Sequence, residues 1–142
     1  MTNTQIFIRF AGVTVATLVA LAIAAGLLAS FAGIDLGSGL GIVSIIVPAM
    51  DAGQNYARKT GSALSKGQMW RIAFGGFLIN VLVSLPLVAI IASITGLDLT
   101  PIFEVLGIGA LVGIGMVFAI FYILIARFFI GLGQRQALKA AR

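Results

Sequence analysis

The chain has 142 residues, 61% of them hydrophobic and only 9% charged, with nine Lys/Arg against four Asp/Glu and a net charge of +5. A soluble domain carries about 25% charged residues to wet its surface. Here the polar surface is too small to cover a globule, so residues 1–142 are expected to form a single all-α, polytopic membrane domain.

Cysteine and histidine are both absent. That removes thiolate nucleophiles, sulfur-ligated metals and the commonest acid–base group. No enzyme activity, catalytic residue, metal or cofactor is expected. The cations sit in short stretches beside apolar runs, as positive-inside topology produces, and not on a soluble basic face. No nucleic-acid partner is expected either.

A short lead ends at Arg9, and Phe10–Ala32 then runs 23 residues without a charge, about 35 Å of helix against a hydrocarbon core of about 30 Å. Ser30-Phe31-Ala32 loosely resembles a cleavage site, but the apolar run exceeds the 7–15 residues, roughly, of a signal peptide. The first span, about 10–32, is therefore read as retained. Gly33–Gly39 is a tight connection in which Gly33 can stop one helix and Asp35 or Ser38 can cap the next.

The second span, about 36–52, has an uncharged run of only 15 residues, Leu36–Met50. That is about 22 Å, so it must use interfacial residues such as Gln54-Asn55-Tyr56 or thin the bilayer. Pro48 is expected to kink it. A polar basic loop, 53–71, follows with Arg58, Lys59, Lys66 and Arg71. These four are candidate headgroup contacts, each worth about 1 kcal/mol near an anionic surface.

The third span, about 72–94, contains Pro86, and Trp70 and Arg71 mark its headgroup level. Thr95–Pro101 is a second tight connection, with Thr100 as N-cap and Pro101 at the first helical position. The fourth span, about 102–130, precedes a basic tail. Four spans place all nine cations on one side and Asp35, Asp98 and Glu104 on the other, which predicts cytoplasmic termini and a cytoplasmic central loop. A three-span arrangement, with the second helix lying in the interface, would put Arg58–Arg71 opposite Arg9.

Shifted by 63 positions, Ala29–Leu36 lies over Ala92–Leu99 with five of eight residues identical; Gly12 falls on Gly75 and Ile45 on Ile108. This predicts two similar helical hairpins related by an axis along the membrane normal, unless the match is a coincidence of restricted composition.

The GIDLGSGLGI turn, followed by AGQNYARKTGSALSKGQMWRIAF, resembles a family of small four-helix proteobacterial inner-membrane proteins of unknown function. The resemblance covers most of the chain and implies a multi-pass protein of the bacterial inner membrane. It transfers no functional residue.

Two groups of residues invite a role. Gly12, Ala16, Ala20 and Ala24 fall four apart on one helix face, and Gly109 and Gly113 form a GxxxG. In lipid, close backbone approach drives association, so these are candidate packing faces, within the bundle or against another chain. Asn80 lies about 12 Å into the third span, with Ser84 on its stripe and Thr17 at the repeat-related position. The three form a candidate intramembrane polar site, alongside the Leu82 carbonyl that Pro86 leaves unpaired. The plainer reading of Asn80 is an interhelical hydrogen bond. Glu104 suits the first turn of a helix, with an ion-admitting role as the alternative, and Asp51 suits an interfacial cap or ion pair.

With membrane lipid as the expected surroundings, the expected function is a non-catalytic accessory or assembly subunit that works by helix–helix contact with a membrane-protein partner. The alternative is a small homo-oligomeric transporter or channel for a neutral or apolar solute, since no charge lies mid-span to serve an ion.

Overall fold

A computed structural model of the chain describes residues 3–32, 39–96, 98 and 100–141. It is all-helical, with α1 at Asn3–Ala32, α2 at Gly39–Thr60, α3 at Lys66–Thr95 and α4 at Thr100–Ala140. Three of these, α1, α3 and α4, are long and apolar enough to cross a membrane. The fourth, α2, is not among them, because Asp51, Gln54, Asn55, Arg58 and Lys59 occupy its C-terminal half. The caps expected at Gly33, Asp35 and Ser38 lie outside the described residues.

The stretch read as a polar loop, 53–71, is helical except for residues 61–65. Local chemistry fixes that turn. Gly61 takes φ 65°, a left-handed value that suits a residue without Cβ, and its N–H closes on the Ala57 carbonyl at 2.9 Å. Ser65 and Gln68 then form a reciprocal capping box at the start of α3.

The N-cap expected at Thr100 is displaced by two residues: Thr100 opens α4, and Asp98 accepts its N–H at 2.9 Å. Helix α4 is also not the uninterrupted span its apolar run suggests. Gly107 has φ 67° and ψ 159°, a conformation essentially restricted to glycine, and the helix bends there. Pro48 and Pro86 both lie inside continuous helix.

Around the bundle each helix touches two main neighbours, in the order α1–α2–α4–α3. The α2–α4 contact is the most extensive. This order differs from the expected symmetry. A two-fold axis along the normal relating α1–α2 to α3–α4 would set α2 beside α3 and α1 beside α4. Instead α1 meets α3 and α2 meets α4. The 63-residue match is therefore not accompanied by that axis.

The core lies towards one end, where α1 and α3 begin and α2 and α4 finish. Ile6, Phe10, Ala52, Leu64, Ile72 and Ile130 are among its buried residues. Among the residues of 15–31, 77–94 and 100–121 whose side chains are described, none is buried. Glycine sets how close the helices come. A Cβ on Gly53 of α2 would strike the Ile130 carbonyl of α4, and one on Gly133 of α4 would strike the Met50 carbonyl of α2. Gly75 and Gly76 of α3 likewise accept the rings of Phe7 and Phe10 from α1.

The small-residue faces singled out from the sequence do not make these contacts. Nothing stands within 4 Å of a Cβ added at Gly12, Gly109 or Gly113. Ala16 and Ala20 are exposed, and Ala24 is half-buried. Spacing alone identified candidate faces; the rotation of each helix about its axis selected different ones.

Candidate functional site

At the edge of the core, beside the first two turns of α2, a cleft of about 590 Å³ opens. Its walls are mostly apolar, with rings from Phe77, Phe118, Phe121 and Tyr122. Ser44, Asn80 and Ser84 supply the polar groups, and no charged side chain among the described residues reaches it.

Hydrogen bonding decides what this cleft can offer. The Ser84 hydroxyl donates to Asn80 Oδ1 at 3.3 Å, and the Ser44 hydroxyl donates to the Gly41 carbonyl at 2.7 Å. The buried Tyr122 hydroxyl donates to the Gly76 carbonyl at 3.2 Å, and its ring meets Phe77 edge-on with centroids 5.5 Å apart. These donors are spent inside the bundle. The Asn80 amide nitrogen, by contrast, donates to no described residue, and among the described residues no side-chain N or O atom is both fully buried and unpaired. The site therefore presents an amide donor and hydroxyl lone pairs in a largely hydrocarbon wall, chemistry suited to an uncharged molecule.

Of the three polar residues predicted from sequence, the cleft brings together Asn80 and Ser84. Thr17 is half-buried on α1 and does not line it, and neither Leu82 nor Pro86 does. Ser44 and Tyr122 were not anticipated. Their signals were present: Ser44 is the hydroxyl inside the apolar run of α2, and Tyr122 is the tyrosine of the fourth span.

A polar band lies at the other end of the core. Arg9 grips Asp51 through two bonds, Nε to Oδ2 at 2.7 Å and Nη2 to Oδ1 at 2.9 Å. With its amide oxygen turned to the guanidinium, Asn55 accepts from Arg9 as well, at 2.9–3.0 Å. Arg127 lies 4.6 Å from the Trp70 ring centroid, within cation–π range. The predicted headgroup cations Arg58, Lys59, Lys66 and Arg71 are all exposed. Glu104 is exposed on the short arm of α4 before the Gly107 bend. No group of three or more metal-ligating side chains occurs among the described residues. No family model, curated protein or solved structure matches this chain.

Proposed function

We propose that this is a non-catalytic membrane protein acting by contact between helices in the bilayer, as an accessory or assembly subunit of a larger complex. One observation carries the reading: the self-packed core stops partway along the bundle, and the small-residue faces beyond it are left uncovered. Lipid can cover apolar side chains well. It has less to offer a groove lined by Gly109 and Gly113, where a second helix could come to backbone contact.

The proposed topology has four spans, with α2 crossing only by thinning the bilayer or drawing on its polar end. Its termini and its 61–65 turn face the cytoplasm of a bacterial inner membrane. The side assignment rests on the Lys/Arg distribution, and the compartment on the family resemblance.

The test is gentle solubilisation from the native membrane, followed by identification of what remains bound. An unrelated membrane protein that is lost from G109L and G113L variants supports the accessory reading; retention by both variants counts against these faces. A homo-oligomer alone points to the second reading, passage or binding of a neutral, largely apolar solute. That reading draws its support from the Asn80 amide nitrogen, which donates to no described residue, in a cleft whose described lining carries no charge.

A further inference from the structure

A second cleft, of about 410 Å³, lies between Met69 of α3 and one face of α4. Its walls include Leu124, Phe128 and Leu132, and its charged groups are Arg127 and Arg135. The two arginines are eight residues apart, just over two turns and about 12 Å of rise, so they share a helix face. The Trp70 ring restrains Arg127 without neutralising it.

No acid among the described residues lines this cleft. The one salt bridge among the described residues, Arg9–Asp51, uses a carboxylate elsewhere. Two guanidiniums thus face the cleft without a counter-anion among the described residues. The remaining walls are hydrocarbon, which a small soluble anion would leave unused. Gly131 lies on the same stripe between the arginines, and a Cβ there would meet only the Met69 sulfur, at 3.9 Å. The helix surface is open at that point.

We propose that this cleft binds an anionic phospholipid. Arg127 and Arg135 hold the phosphate by charge-assisted hydrogen bonds, and the start of an acyl chain lies along Leu124 and Phe128. An anion answers the two unpaired charges, and a covalently attached chain answers the apolar wall. The inference requires the chain to lie in a bilayer, but it does not depend on the accessory-subunit reading.

The test uses the full chain, delipidated in detergent and mixed with phosphatidylglycerol or phosphatidylcholine, with retained lipid read by native mass spectrometry. One phosphatidylglycerol is expected to stay bound where phosphatidylcholine does not. R127Q and R135Q should each lower retention by about tenfold, the scale of a lost charged hydrogen bond. Gly131→Leu should lower it comparably while leaving both charges in place. Should an arginine variant fail to fold, Gly131→Leu decides alone, with Trp70 emission reporting the fold. Equal retention of the two lipids would overturn the proposal. So would displacement by inorganic phosphate at the concentration of the lipid, which would mark a free-anion site.

Discussion

Gln134, buried on α4, accepts the backbone N–H of Leu64 at 2.8 Å across 70 residues of sequence. The same amide turns its nitrogen to the Met69 sulfur at 3.7 Å. One side chain near the end of the chain thus holds the α2–α3 turn and lets Leu64 plug the core. A buried amide hydrogen left without an acceptor costs about 1–3 kcal/mol. Gln134→Leu should lower the thermal midpoint in detergent and speed proteolysis at residues 61–65. Gln134→Glu, which keeps an acceptor oxygen, should recover part of the loss.

Gly53 and Gly133 make the opposite prediction from Gly109 and Gly113. In an open helix, Gly→Ala is favourable by about 1 kcal/mol. At Gly53 or Gly133 the new methyl meets backbone of the facing helix, which cannot rotate away as a side chain could. Alanine there should force α2 and α4 apart and destabilise by roughly 1–3 kcal/mol. Alanine at Gly109 or Gly113, where nothing stands within 4 Å, should leave the isolated chain as stable or more so. Denaturation in mixed micelles across the four variants checks the contrast. Equal behaviour would mean that the α2–α4 crossing is not the close one.

The glycines singled out from the sequence are not the ones at the close contacts within the bundle, and the reason is physical. Gly12, Ala16 and Ala20 repeat every four residues just as Ala49, Gly53 and Ala57 do, so periodicity cannot rank the two faces. What ranks them is helix rotation, fixed by Phe10, Ile130 and the Arg9–Asp51 pair. That pair joins residues 42 apart, and choosing it over Asp51 with nearby Arg58 needs the α1–α2 packing. The long apolar runs were legible as helices, whereas the Ser65-x-x-Gln68 spacing of a capping box stands in the string, unused, inside the stretch read as a loop. The cleft was half legible. Asn80 and Ser84 share one helix stripe, whereas Ser44 and Tyr122 arrive from α2 and α4 only through the fold.

Asp98 should give the turn before α4 a pH dependence. Its carboxylate is held below the usual range, first by the Thr100 hydroxyl and then by the Thr100 N–H. A depressed folded-state pKa contributes stability above the unfolded value, about 3.9. That contribution is lost as pH falls through the folded value. Carboxyl chemical shifts followed by NMR in micelles should show Asp98 titrating below an unstructured aspartate. Thr100→Val should move it upward. An unchanged titration in that variant would remove the hydroxyl as the main cause.

Asn80→Leu separates a structural role for the amide from a binding role. Its nitrogen donates to no described residue, so the replacement breaks no donated bond within the bundle. Ser84 loses its acceptor at Oδ1 but lies four residues on from Asn80, within reach of that residue's own carbonyl in the back-bonded geometry common for serine in helices. Leucine is also better suited than an amide to a hydrocarbon wall. The thermal midpoint should therefore hold or rise, while binding of any neutral solute that accepts a hydrogen bond in the 590 Å³ cleft should weaken. A suitable probe is decylbenzoquinone, whose ring carbonyls accept hydrogen bonds and whose tail is apolar, with binding followed by its competition against a photoreactive diacylglycerol. If the midpoint instead falls by the 2–8 °C or so that roughly 1 kcal/mol produces in a domain of this size, the amide oxygen is stabilising α3 through its bond from Ser84. Ser84→Ala should then share the loss, because Ser84 is the partner that Asn80 has in the bundle.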